Sequence, residues 1–185
     1  MSKSTIILIT GFPGTGKTTL GKVLSERFKL PFFTKDAFKE RMFDTLGWRD
    51  KAWSSKVSAA SHRIMDYIIE EELKAGRSII LESNFRRTID SERFKKFQAR
   101  HDCAVLQILC WAEGEVLYKR FMDRQGTAAR HPGHVEVPPE MVRAELIKGK
   151  DTPIDINGET IELDTTNLDT INYTPILDHI SSLTA

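Results

Sequence analysis

The chain is predicted to be a doubly wound α/β protein on a parallel sheet, and three observations predict it. Short strand-like runs alternate with helical patterns, several of those runs are apolar on both faces, and the first leads directly into a glycine-rich loop that opens a helix. Fully apolar short strands suit a sheet covered by helices on two sides. At 185 residues the chain is expected to be one domain, residues 1–185, large enough to bury a core on both faces of that sheet.

The elements follow in order. Thr5–Thr10 is the first strand, carrying Ile6-Ile7-Leu8-Ile9, and the helix Lys17–Phe28 comes after the loop. Pro31–Thr34 is the second strand and Asp36–Leu46 the next helix. A long helix is expected over Ser54–Ala75, where Val57, Ala60, Ile64, Tyr67 and Ile68 recur at helical spacing and Gly76 acts as a stop. Trp48 and Trp53 sit in the break before it; core filling is the default reading, with an acceptor pocket or a partner anchor as the functional alternatives. Then come strand Ser78–Glu82, helix Ser91–His101, strand Ala104–Cys110, and helices Glu113–Arg124 and Pro139–Gly149. Thr160–Asp164 is the last strand and Pro175–Leu183 the last helix. Asp155-Ile156-Asn157-Gly158-Glu159-Thr160 departs from the series, because Asn-Gly between apolar segments predicts a tight hairpin.

Composition narrows the partners. With 27 basic and 26 acidic residues the formal charge is +1, so no global field draws the chain to nucleic acid or membrane, although a local basic patch stays possible. Cys103 and Cys110 lie in an apolar stretch without a C-x-x-C pattern and read as small core residues of a reduced, cytoplasmic protein. The first strand begins within a few residues of the N-terminus, leaving no room for a signal peptide, and no run is long enough to span a membrane.

Gly11-Phe12-Pro13-Gly14-Thr15-Gly16-Lys17-Thr18 is a complete G-x-x-x-x-G-K-[ST] pattern, and its strand-loop-helix context separates it from a ligand-free glycine turn. Its glycines let backbone N–H groups point inward at a polyphosphate, Lys17 adds a point charge, and the following helix directs its positive end at the same place. Thr18 offers a hydroxyl to Mg²⁺, and Thr19 completes the nucleotide-binding candidates of this segment.

Three further sites decide what happens to the nucleotide. Asp36, at the exit of the second strand, reads either as a helix N-cap or as a carboxylate facing the phosphate crevice, where it aligns or deprotonates an attacking hydroxyl; one residue can do both. Glu82 ends the third strand where an acid of nucleoside-triphosphate enzymes binds Mg²⁺, and Asn84, Arg86 and Arg87 continue into a loop that either contacts an anionic or hydroxylated substrate or is a solvated face. Arg120 and Arg124 share a helix face and Arg130 follows a break at Gly126, with Pro132 and Gly133 beyond it. This segment is expected to be a lid that closes over the triphosphate. The turn His131-Pro132-Gly133-His134 lacks the further ligands a zinc site needs, and a substrate-contacting histidine is the better reading.

Together these motifs resemble the small P-loop kinases, the superfamily of adenylate kinase, gluconate kinase, chloramphenicol phosphotransferase, the polynucleotide-kinase domain and the zeta-toxin kinases, over nearly the whole chain. The resemblance implies a three-layer P-loop NTPase fold with a five-stranded parallel sheet in the order 2-3-1-4-5, helices on both faces and a short lid at about residues 124–138. It implies ATP with Mg²⁺ as phosphoryl donor and an acceptor held between the helices after strands two and three. Asp36 matches the family's base, Glu82-Ser83-Asn84 looks like the Asp-Thr-Asn of polynucleotide-kinase relatives, and Arg120, Arg124 and Arg130 match lid arginines. Thr166 and Asn167 match the segment that borders the adenine.

One departure bears on the acceptor. Polynucleotide-kinase relatives carry Asp-x-x-Arg after the second strand, whereas Lys39 stands at that spacing here with Arg41 two further on, and Lys lacks the planar two-pronged grip of Arg on a phosphate. The expectation is therefore an ATP- and Mg-dependent kinase acting on a hydroxyl of a small molecule, with Lys39, Arg41, Asn84 and Arg86 near the acceptor, working as a monomer or homodimer. A polynucleotide 5′-hydroxyl kinase and an ATP-binding regulatory module are the alternatives.

Overall fold

The computed structural model describes residues 3–125, 127, 130–134 and 137–184. Five strands, β1 (Thr5–Thr10), β2 (Phe32–Thr34), β3 (Ile79–Glu82), β4 (Ala104–Trp111) and β5 (Glu159–Asp164), form one sheet in the order β2-β3-β1-β4-β5. Every pairing is parallel. The helices are α1 (Lys17–Phe28), α2 (Lys35–Leu46), α3 (Lys51–Lys74), α4 (Arg87–His101), α5 (Gly114–Arg124), α6 (Pro139–Leu146) and α7 (Thr174–Thr184).

Alternation along β1 explains the layers. Ile6 and Leu8 face a core with Met65 and Ile69 of α3 and Phe94 of α4, while Ile7 and Ile9 face Leu20 and Leu24 of α1 and Ile176 and Ile180 of α7. A third cluster, Phe12 with Leu117, Phe121, Val142 and Leu146, packs α5 and α6 behind the glycine-rich loop. Cys103 and Cys110 are free and buried in the two main cores, as expected of small apolar residues.

Two sequence expectations need correction. The buried stripe of α3 is Ser54, Val57, Ser61, Met65, Ile69 and Leu73, so Ile64 and Tyr67 are exposed. Serine hides in that stripe because the hydroxyl of Ser61 donates to the Val57 carbonyl at 2.9 Å, which satisfies its polarity within the helix. The expected hairpin at Asn157-Gly158 does not form. A type I′ turn needs positive φ at the glycine, and Gly158 is not among the glycines that have it. β5 instead runs parallel to β4, and a Cβ at Gly158 would fall 2.0 Å from the Val105 carbonyl oxygen, so this glycine serves the close entry of β5 beside β4. The approach to β5 hangs on α4, where Gln98 donates to the Asn157 carbonyl at 2.6 Å and Ser91 Oγ accepts from the Asp155 amide at 2.9 Å.

The tryptophans fill no core. Trp48 is exposed and meets His131 edge-on at 5.3 Å, and Trp53 donates its ring N–H to the Gly47 carbonyl at 2.9 Å, fastening the α2–α3 connection. Among the described residues no helix is long and apolar enough to cross a membrane.

Candidate active site

Parallel pairing sets the carboxyl ends of β1, β2 and β3 on one edge, with Glu82 in register with both Ile9 and Thr34. The glycine-rich loop, Asp36 and Glu82 therefore rise from neighbouring strand ends, the place where open α/β sheets bind ligands.

The loop is held by its own carbonyls and by Lys17. Gly11 lies at φ 136°, and a Cβ there would sit 2.0 Å from the Cys110 carbonyl oxygen, so no other residue can leave β1 along this path. Gly16 caps α1 in the left-handed region with no side-chain hydrogen bond, which leaves the helix N-terminus open to an anion. Lys17 Nζ is buried and donates to the carbonyls of Gly11 at 2.8 Å and Phe12 at 2.9 Å, and Thr15 Oγ1 also donates to Phe12 at 2.8 Å. Burial pulls the Lys17 pKa down against the opposing pull of Glu82, Cys110 and Asp36. Beneath the loop, burial pushes the Cys110 thiol up to about 12, leaving it an inert filler.

Thr18 Oγ1 donates to Glu82 Oε2 at 2.8 Å. A hydroxyl and a carboxylate converging beside a phosphate cradle are the oxygen donors a hard cation takes, so the residues present fit Mg²⁺. Burial raises the Glu82 pKa, with Lys17 and the Thr18 hydrogen bond acting the other way.

Asp36 is not the helix cap. Thr34 caps α2, its Oγ1 accepting from the Ala37 amide at 3.0 Å, and Asp36 stands in the first turn with 61% of its side chain exposed. Burial of its neighbourhood raises its pKa, but the charge of Lys35, the 3.0 Å hydrogen bond from Lys35 Nζ and the charge of Lys39 outweigh that and hold the carboxyl below its ordinary range.

Two clefts meet at this residue. One, of about 550 Å³, is lined by Gly14, Gly16, Lys17, Thr18 and Thr19. The other, of about 920 Å³, opens between α3 and α4. Pro13, Asp36, Glu82 and Asn84 line both. A separate cavity of about 460 Å³, beside Lys3, Val105 and His179, opens near the amino ends of β1, β4 and β5, away from these groups.

The remaining candidates divide. Arg124 and Arg130 line the phosphate-side cleft, and the Arg130 guanidinium stacks over the Phe121 ring at 5.3 Å. Arg120 points elsewhere, donating to Gly14 at 3.3 Å and to the carbonyls of Thr165 and Thr166 at 2.9 Å each. Thr166 Oγ1 accepts from the Glu113 amide at 3.0 Å, across to the start of α5, and Asn167 Oδ1 accepts from the Asp169 amide at 3.1 Å in a local turn, and neither residue lines either of the two clefts. Phe12 and Arg86 line the larger cleft. Lys39 is buried with its ammonium 5.3 Å from the Phe43 ring, its pKa lowered by burial and by Lys35, and Arg41 is exposed and donates to the Ala37 carbonyl at 3.2 Å. Neither lines a cleft.

Of the expected lid, Gly126, Ala128, Ala129, Val135 and Glu136 lie outside the described residues. Its turn at residues 131–134 docks on α2. His131 Nε2 lies 3.0 Å from Asp44 Oδ1, His134 Nε2 lies 2.7 Å from Glu40 Oε1, and a Cβ on Gly133 would fall 2.4 Å from the Phe43 ring. Among the described residues no group of three or more His, Cys, Asp or Glu side chains could hold a metal ion.

The sequence reading missed the α3 wall. Ser55, Ser58, Ala59, His62 and Asp66 line the larger cleft at spacings of three and four, a ridge of small and polar residues that a search for apolar periodicity passes over. Arg93 braces it from α4, donating to Asp66 Oδ1, and to Asp90 Oδ1 at 2.8 Å, and lying 3.4 Å from His62 Nδ1. Burial and the Arg93 charge hold the His62 pKa down, so the ring is neutral at neutral pH.

A family model described as an AAA domain matches residues 6–145, across the loop, Asp36, Glu82, Arg120, Arg124 and Arg130. The chain belongs to this family. A candidate kinase from Chloroflexus aurantiacus is 36% identical, with 97% of this chain and 98% of that one covered and a TM-score of 0.92. A sugar kinase from Janibacter sp. HTCC2649 (15% identity, 98% and 94% covered, TM-score 0.60) and a gluconokinase from Sinorhizobium meliloti 1021 (16%, 100% and 94%, 0.54) share the fold. No curated protein matches the chain. The AAA-domain assignment and the five-stranded order establish a P-loop NTPase-like fold, and the P-loop implies nucleotide binding.

Proposed function

We propose that the protein is an ATP- and Mg-dependent kinase that transfers the γ-phosphoryl group to a hydroxyl of a small molecule. The observation that carries this reading is the position of Asp36 where the two clefts meet, one built around the phosphate loop and the other empty of any element of that loop beyond Phe12 and Pro13. A protein that only binds nucleotide needs the first cleft alone.

The acceptor oxygen attacks the γ-phosphorus from the larger cleft, the new O–P bond forms as the bond to the β,γ-bridging oxygen breaks, and ADP leaves with the electron pair. Asp36, held ionised, accepts the hydrogen bond of the attacking hydroxyl and aligns it, then takes the proton as transfer completes. Lys17 turns from the Gly11 and Phe12 carbonyls to the β- and γ-phosphates, while Arg124 and Arg130 reach the moving group from the far wall. Thr18 and Glu82 are the residues that would hold Mg²⁺, which when bound supplies positive charge to the phosphate oxygens. The likeness to proteins described as kinases, one of them 36% identical, supports the same reading.

The test is acceptor-dependent ADP release by purified protein, with and without EDTA, across hydroxylated metabolites, nucleosides and a 5′-hydroxyl oligonucleotide. Release that needs both Mg²⁺ and a small acceptor is the expected result. Transfer to the oligonucleotide alone establishes the polynucleotide reading, and ATP binding without transfer to anything establishes a regulatory module.

A further inference from the structure

The larger cleft carries arginines that no ion pair engages among the described residues. Arg63 on α3 faces Arg86 and Arg87 at the start of α4 across it. Among the described residues no ion pair or side-chain hydrogen bond engages the guanidinium of Arg63 or Arg86, and Arg87 has only its electrostatic effect on Asp155. The acids of the same lining are engaged: Asp36 by Lys35, Glu82 by Thr18, and Asp66 and Asp90 by Arg93. Glu145, in α6, and Asp151, between α6 and β5, complete the acids, and neither belongs to the α3 or α4 wall. Among the described residues the three arginines without an ion pair outnumber the two such acids of the lining, Glu145 and Asp151, and the α3 and α4 walls contribute only the arginines, with His62 beside them neutral.

Hydrogen-bonding groups accompany the charge. Ser55, Ser58 and Asn84 line the same cleft as the arginines and Asp36 and are suited to sugar-like hydroxyls. A volume of about 920 Å³ suits a small molecule. Guanidinium groups recognise carboxylate and phosphate through paired parallel hydrogen bonds, a geometry that an uncharged acceptor leaves unused.

We infer that the acceptor is a small hydroxylated acid whose carboxylate or phosphate is held by Arg63, Arg86 and Arg87 while one of its hydroxyls is presented to Asp36. This rests on the kinase reading above and names the class of its second substrate. Bond making and breaking are as described there; the acidic group is a handle and does not react.

The experiment measures Mg-ATP-dependent phosphorylation of three matched sets of probes: six-carbon sugar acids, six-carbon sugar phosphates, and the corresponding neutral sugars and polyols. Transfer to a member of either acidic set, with kcat/KM at least about tenfold above its neutral counterpart, is expected, and the set that responds identifies the anionic group. Arg63→Gln combined with Arg86→Gln should raise KM for that acid about tenfold or more, with a smaller change in kcat. Arg27→Gln combined with Arg100→Gln removes the same charge from exposed positions on α1 and α4 and should leave KM where it was. Transfer to the neutral set alone, or an acid KM that ignores the loss of Arg63 and Arg86, overturns the inference and leaves the kinase reading standing. No transfer to any set by protein that binds ATP overturns both.

Discussion

The two clefts that meet at Asp36 are made of different material. The phosphate side is built largely from main chain: one loop of eight residues, two carbonyls gripped by Lys17 and a helix end without a side-chain cap. The α3–α4 side is built from side chains brought from helices 20 to 40 residues apart, kept in place by a single braced arginine. Main-chain geometry tolerates little variation in sequence, whereas a side-chain wall keeps its shape while its chemistry changes. On the proposed kinase reading, the first fixes what the donor is and the second chooses what receives the phosphate.

Substitutions that strike one side and spare the other test this division. Lys17→Ala should have the largest effect, a loss of about 10³-fold or more in ATP turnover, because the cradle loses the buried cation that Lys17 supplies. Asp36→Asn should lower kcat by about 10²-fold or more and leave the ATP dissociation constant within about twofold; full transfer by this variant removes Asp36 from the reaction. Arg93→Met should act on the second cleft through stability, costing about 3 kcal/mol in chemical denaturation, because it leaves the buried Asp90 carboxylate without its counter-ion. Nucleotide binding at low temperature should survive it, and an unchanged denaturation midpoint would show that the brace carries no weight.

The smallest effect concerns pH. The Asp36 pKa is depressed against the pull of burial chiefly by Lys35, so the stability that Asp36 contributes is complete above its unfolded value of about 3.9 and is lost as pH falls through the lower folded value. In Lys35→Met the carboxyl rises, and the acid limb of the pH–kcat profile should move to higher pH. Its melting temperature should differ most from the parent at neutral pH and converge with it in strong acid. A limb that stays put assigns it to another group.

This division also sets what was legible in the sequence. Gly11 to Thr18 announced the cradle because a backbone that must approach phosphate can use few residues, and β1, β3 and β4 were legible because strands buried on both faces read as nearly continuous apolar runs, with Gln107 the polar residue inside β4. The acceptor wall was not. Ser55, Ser58, His62 and Asp66 carry no motif, and the register of α3 was read a position off because Ser54 and Ser61 occupy buried places that apolar periodicity assigns elsewhere. Arg120 and Arg124 share a helix face, yet one grips carbonyls and the other lines a cleft, a distinction set by tertiary contacts alone. Asn157-Gly158 misled for the opposite reason, since a glycine needed for close approach to Val105 has the same letter as one needed for a turn.

Arg120 ties the phosphate cradle to the far end of β5. One guanidinium holds the carbonyl of Gly14 in the cradle and those of Thr165 and Thr166 where β5 gives way to the turn beyond it. The two segments are thereby yoked like the jaws of a wrench on one pivot. A force that parts the rear jaw loosens the front one as well, so a displacement at the end of β5 is felt as slack in the cradle.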